Sequence, residues 1–144
     1  LTLPVGLSVT SGINAIAHAA EGLYAQDRNP VMDLMAEEGI AAIARALPGI
    51  CKEPGNVDAR SDALYGAWLC GSVLGNVGMA LHHKLCHTLG GSFNLPHAEV
   101  HTVVLPHAMA FNGPDYLTWP PTTVHPWHSK TLACAKKTWT RLQI

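Results

Sequence analysis

From Ala63 to His83 the chain reads "ALYGAWLCGSVLGNVGMALHH", with no Asp, Glu, Lys or Arg. A charge-free run of that length either crosses a bilayer or is buried as a central helix. Gly71 and Gly75 have the GxxxG spacing of packed membrane helices. Gly66, Gly78, Ser72 and Asn76 interrupt the run, however, and it has neither a basic flank nor an aromatic belt. The expectation is a helix buried on all sides, with glycines that let a neighbouring helix approach. At 144 residues the chain is the size of one domain. Charged residues make up 13 %, against about 25 % in an average domain. Part of the surface is therefore expected to face another domain or subunit. A formal charge of −1 argues against nucleic acid and anionic membranes as partners.

Cys51, Cys70, Cys86 and Cys134 form no CxxC pair and no dense disulfide scaffold. They read as reduced thiols of a cytoplasmic protein. The opening "LTLPVGLSVT" has no basic flank or cleavage site, and its lack of a Met suggests a piece of a longer protein.

The rest of residues 1–112 reads as helix. Thr10 or Ser11 is expected to cap a helix through "GINAIAHAAEGLYA", with Ile13, Ile16 and Ala20 on one side. Asn29–Pro30 is a cap followed by a first turn, and the apolar pattern from Val31 through Leu47 predicts a helix ending at Pro48. "PGICKEPGNVDAR" reads as a loop. One long helix is then predicted from about Asp58 into the histidines, broken by "LGGSFN" and restarted at Pro96. No period-2 strand series and no internal repeat is present. Residues 113–144 hold four prolines, three of the four tryptophans, four basic residues and one acid. They read as a separate Pro/Trp-rich basic tail without a packed core, with partner binding through Trp119 and Trp127 as the alternative.

Five of the nine histidines fall within residues 81–101. His83 and His87 are four apart and share a helix face, as do Asn14 and His18 on the first helix. His97 opens the helix that follows the Gly-Gly pair. Three elements can thus direct His18, His83 and His97 to one point, a set that suits Zn²⁺ or Fe²⁺ with an open position. Imidazoles that merely pack in a core remain the other reading of this spacing. His82 is expected to point away, about a hundred degrees round the helix from His83. His101 reads as a surface residue or a partner of the ligands, and His107 as the end of a helix. Cys86 reads as a buried thiol. Glu21 and Glu99 read either as supports for the imidazoles or as surface groups. His125 and His128 receive no role.

"SGINAIAHAAE" and "LHHKLCHTLGGSFNLPHAEVHTVVLPHAMAFN" resemble the metal-site segments of the iron-containing (group III) alcohol dehydrogenases. "LPVGLSVTSGINAIAHA" and "YGAWLCG" place the resemblance nearest the maleylacetate reductase branch. It covers residues 1–112 and implies an all-α helical metal and substrate domain of the dehydroquinate synthase-like fold. In that family one Asp and three His hold the metal, and the matching positions here are Asn14, His18, His83 and His97. His87 matches a further active-site histidine. Asn14 stands where most members have Asp; its neutral oxygen weakens the hold on a dication, so the resemblance implies Fe²⁺, Zn²⁺ or no metal at all. The maleylacetate reductase branch shares this Asn.

The resemblance further implies reduction of the double bond of maleylacetate, a small dicarboxylate, to 3-oxoadipate in aromatic catabolism. Hydride from NADH or NADPH adds to the far end of the conjugated double bond, and charge develops on the keto oxygen. His87 or His83 could stabilise that charge as a hydrogen-bond donor. The cofactor would be held mainly by a separate N-terminal α/β domain, since no glycine-rich pyrophosphate loop occurs in this chain. Thr10 and Ser11 lie where the family's nicotinamide approaches, and the full-length family implies a homodimer. Alone, the chain is expected to be inactive. A metal-dependent alcohol or aldehyde dehydrogenase and a non-catalytic metal-binding remnant are the two competing readings.

Overall fold

The computed structural model describes residues 2–112, which form five helices and no strand. They are α1 (Val5–Gly22), α2 (Pro30–Lys52), α3 (Val57–Asn76), α4 (Leu81–Phe93) and α5 (His97–Phe111). The expected all-α class holds for these residues. The tail, with Trp119, Trp127, His125, His128 and Cys134, lies outside them.

Helix α1 starts earlier than its polar residues suggested. Pro4 occupies the cap with ψ 148°, and its carbonyl accepts from the Ser8 N–H at 2.9 Å. Thr10 and Ser11 therefore lie inside the helix, and the Thr10 hydroxyl donates back to the Gly6 carbonyl at 3.2 Å. Proline's fixed φ prepares the first turn without needing a side-chain cap. Helix α2 starts as expected: Asn29 Oδ1 accepts from the N–H groups of Val31 and Met32, both at 3.1 Å. It does not stop at Pro48, which sits within the helix, and it continues to Lys52. The predicted loop shrinks to residues 53–56, where Asn56 accepts from the Ala59 N–H at 2.9 Å and starts α3.

Helix α2 lies along α3, and α1 packs against both. Their core contains Ile13, Ile16, Met32, Ala36, Ile40, Ile43, Leu47, Cys70 and Val73. The α2–α3 crossing is set by two glycines. A Cβ on Gly66 would lie 2.9 Å from the Gly39 carbonyl oxygen, and one on Gly39 would lie 2.8 Å from Cys70 Sγ. Gly71 and Gly75, the GxxxG pair, face open space instead. The charge-free run is likewise not buried all round: Leu64 and Trp68 are 74 % and 64 % exposed, whereas Leu69, Cys70 and Val73 are buried. Arg60 ties the start of α3 to the start of α1, donating to Ser8 Oγ at 2.8 Å and to the Leu3 carbonyl at 2.9 Å.

The long helix predicted through the histidines is two helices bent by 95° at residues 77–80. The break is held from a distance. Asp27 Oδ1 accepts from the Gly78 N–H at 2.9 Å, and Glu21 Oε2 accepts from the Ala80 N–H at 3.0 Å. Among the described residues no single helix is long and apolar enough to cross a membrane. Gly90 and Gly91 do not break α4; Asn94 does, at φ 51°, the left-handed conformation an asparagine tolerates at a helix end. Pro96 then caps α5, which runs through Pro106 and past His107 to Phe111. At its far end Asn112 Nδ2 donates to the Tyr24 hydroxyl at 3.0 Å, fixing α5 against the end of α1.

Candidate active site

Asn14, His18 and Glu21 are spaced four and three residues apart, so they form one stripe along α1. That stripe meets the opening turn of α4, and Glu21 is the joint. Its carboxylate is 1 % exposed. Oε1 accepts from the His82 N–H at 2.7 Å and from the Tyr24 hydroxyl at 2.8 Å. Oε2 accepts from the Ala80 N–H and, at 2.6 Å, from His83 Nδ1. Burial alone would raise the Glu21 pKa, but the hydrogen bonds from His83, Tyr24 and Ala80 outweigh it and hold the carboxyl down at about 2. An ionised carboxylate also answers the positive end of the α4 dipole.

Because that carboxylate can only accept, His83 must carry its proton on Nδ1. Its Nε2 is buried and without a hydrogen-bond partner. Asn14 Oδ1 and His101 Nε2 share that condition. Buried polar atoms are seldom left alone, and a group of them marks a place meant for a ligand.

The imidazoles converge from α1, α4 and α5. His18 stacks on His83 with ring centroids 4.8 Å apart, and His83 lies 4.8 Å from His101. His97 lies 4.4 Å from His101 and stacks on His87 at 5.8 Å. Two triads bring their nitrogens within 4.8 Å of one another: buried His82, His83 and His101, and, nearer the surface, His87, His97 and His101. Asn14 and His18 are half-buried beside the inner triad, whereas His87 and His97 are exposed at the outer one. Crowding and burial hold three of these rings, His18, His82 and His101, in the neutral form. Burial first, then repulsion from neighbouring imidazoles, lowers His18 to about 4 and His101 to about 3. Burial, with repulsion from His83, brings His82 to about 4. Neutral imidazoles are the form that binds a dication.

Sequence reasoning placed His82 wrongly and left His101 between two readings, of which the structure favours the partner of the other imidazoles. His82 was expected to point away, yet it is 1 % exposed and its Nε2 lies 3.0 Å from His101 Nδ1. Helix α4 is clasped on two sides, so His83 faces α1 while its neighbour, a hundred degrees round, faces α5. His101 is wholly buried at the centre of the cluster. The signal was its position one turn after His97, which puts both rings on one face of α5. Glu21 carried a signal too, as the third member of the α1 stripe. Cys86 is buried as expected, its thiol pushed by burial to about 11. Glu99 and His107 are exposed.

This arrangement has known counterparts. The model of the Fe-containing alcohol dehydrogenase family, C-terminal, matches residues 8–133. The chain belongs to this family. A maleylacetate reductase of Delftia acidovorans is 70 % identical over 112 residues, which are 78 % of this chain and 32 % of the relative. The chain thus spans about a third of the length of that relative. The crystal structure of the maleylacetate reductase from a Rhizobium species matches with TM-score 0.81 and 55 % identity, over 95 % of this chain and 40 % of that one. An iron-containing alcohol dehydrogenase from Corynebacterium glutamicum matches with TM-score 0.82 and 39 % identity, over 99 % of this chain and 39 % of that one. The family's helical domain accounts for the fold described above.

Proposed function

We propose that these helices form one wall of the active cleft of a maleylacetate reductase-like oxidoreductase. The observation that carries the reading is the Glu21–His83 contact at 2.6 Å, which leaves an unpartnered Nε2 within the imidazole cluster of His18, His97 and His101. The 70 % identity to a maleylacetate reductase supports the choice of substrate.

In the proposed reaction NAD(P)H delivers hydride to the carbon–carbon double bond of maleylacetate, at the carbon remote from the ketone. The electron pair of the double bond moves to the keto oxygen as an enolate, and a proton taken up at carbon completes 3-oxoadipate and NAD(P)⁺. An imidazole N–H not engaged within the fold meets the developing charge as a hydrogen-bond donor. His87, exposed beside the cluster, is the donor able to exchange its proton with solvent, and His83 is held in place by Glu21. An amide rather than a carboxylate at position 14 removes one negative charge from the stripe on α1, which favours a dicarboxylate.

The same residues fit a dication. Asn14 Oδ1 and His83 Nε2 are buried acceptors without partners, and His18 and His97 add imidazoles. Fe²⁺ or Zn²⁺ on Asn14, His18, His83 and His97 would supply Lewis-acid polarisation of the keto oxygen. With three neutral imidazoles and a neutral amide, such a set binds more weakly than one containing a carboxylate. The reading carries with it a nucleotide-binding α/β domain supplied by the rest of the protein, a homodimer and a cytoplasmic location.

The test joins this chain to the N-terminal part of the Delftia acidovorans maleylacetate reductase and follows loss of reduced nicotinamide. Oxidation with maleylacetate, abolished by His87→Ala, is expected. Turnover of simple aldehydes but not of maleylacetate would overturn the reading in favour of a metal-dependent alcohol dehydrogenase.

A further inference from the structure

We propose that His87, His97 and His101 form a second cation position, an outer site that takes a dication such as Zn²⁺ in preference to the inner set of Asn14, His18, His83 and His97. The inference does not depend on the identity of the substrate.

Three observations carry it. His97 and His101 are one turn apart on α5, so a helix already holds two of the ligands at chelating spacing. His87 reaches them from α4, and a nitrogen from each ring lies within 4.8 Å of the others. Finally, His101 is fully buried and its Nε2 has no partner, although its Nδ1 is engaged by His82 at 3.0 Å. A ring steadied on one nitrogen and vacant on the other is the arrangement of a metal-binding histidine.

The inner set has a different composition. It includes a neutral amide oxygen, and among the described residues His18 belongs to no group of three ligand residues whose donor atoms all lie within 4.8 Å of one another. The outer triad meets that spacing and the inner set does not. The outer triad supplies three imidazoles from two rigid helices, with two of them open to solvent so that hydrated ions can enter and retain water as a fourth ligand. Since His97 belongs to both sets, one ion occupies one position or the other.

The experiment titrates the full 144-residue chain with Zn²⁺ by calorimetry and with Co²⁺ by visible absorption, checking each variant's helicity by circular dichroism. One Zn²⁺ per chain is expected. His87→Ala, which alters an exposed side chain and spares the core, should weaken binding at least about tenfold, and His101→Gln should do the same. His18→Ala should leave the affinity within about twofold. Binding that survives His87→Ala, binding lost with His18→Ala, or a folded chain that takes up no Zn²⁺ would each overturn the proposal. Reductase activity plays no part in these readouts, so failure here and failure of the maleylacetate reading are separate results.

Discussion

Glu21 Oε2 and His83 Nδ1 lie 2.6 Å apart, and the same carboxylate accepts the backbone N–H groups of Ala80 and His82. One side chain thereby starts α4, orients its imidazole and joins α1 to the α3–α4 break. Glu21→Ala would leave those N–H groups and His83 Nδ1 without their acceptor, and each hydrogen bond to a charged group is worth about 1.5–3 kcal/mol. Urea unfolding of the variant should show that loss. Tyr24→Phe removes a single donor to the same carboxylate and should cost only about 1 kcal/mol. Equal losses in the two variants would contradict the central role of Glu21.

Gly66 and Gly71, both on α3, should respond oppositely to an added methyl group. Gly66→Ala sets a methyl 2.9 Å from the Gly39 carbonyl oxygen and 2.6 Å from Ile43 Cγ1, contacts that α2 can relieve only by moving. A destabilisation of about 1–3 kcal/mol is expected. Gly71→Ala meets nothing within 4 Å and should stabilise the chain by about 0.5–1 kcal/mol through helix propensity. Thermal unfolding of both variants decides the matter, and a stabilised Gly66→Ala would disprove the close crossing.

How far the sequence revealed this molecule depends on whether each signal was local. The start of α2 was legible because Asn29 and Pro30 act within their own turn. The break between α3 and α4 was not, because its acceptors, Asp27 and Glu21, lie more than fifty residues away in the chain. Nothing in "GNVGMALHH" announces a bend of 95°, and a charge-free stretch is a natural continuation of a helix. The glycines that matter, Gly39 and Gly66, belong to different helices, so no GxxxG spacing could disclose them. Helical spacing singled out His18, His83 and His97, and the structure sets each of them against His101. His82 was misplaced because one helix face was assigned to the site, whereas α4 is contacted by α1 on one side and by α5 on another.

Stability should fall as the pH drops from about 7.5 to 5 in the metal-free chain. His18, His82 and His101 have folded pKa values of about 4, 4 and 3, against 6.5 for a free imidazole. The unfolded chain therefore binds protons that the folded chain refuses, and the stabilisation, complete above 6.5, is lost as the pH falls toward 4. Glu21 does not contribute in that window, because its stabilisation is lost only below 4.5, the ordinary value, as the pH approaches 2. A loss on the order of 2–4 kcal/mol for the coupled rings is expected in urea unfolding at pH 5 compared with pH 7.5. Unchanged or greater stability at pH 5 would show that the rings are protonated in the fold.

Asn14→Asp should redirect the ion. The side chain is half-buried, and its Oδ1 is a buried acceptor without a partner at the edge of the inner cluster. A carboxylate there adds a full negative charge to a set of imidazoles, and its attraction for a dication exceeds that of an amide oxygen. The inner set of Asp, His18, His83 and His97 should then compete successfully with the outer triad. The expected result is tighter Zn²⁺ binding by about tenfold or more, together with a reversal of ligand dependence. In the Asn14→Asp background, His87→Ala should become nearly silent and His18→Ala damaging, the opposite of their effects in the parent chain. An Asn14→Asp variant that still depends on His87 and ignores His18 would mean that a charge at position 14 does not govern where the ion rests.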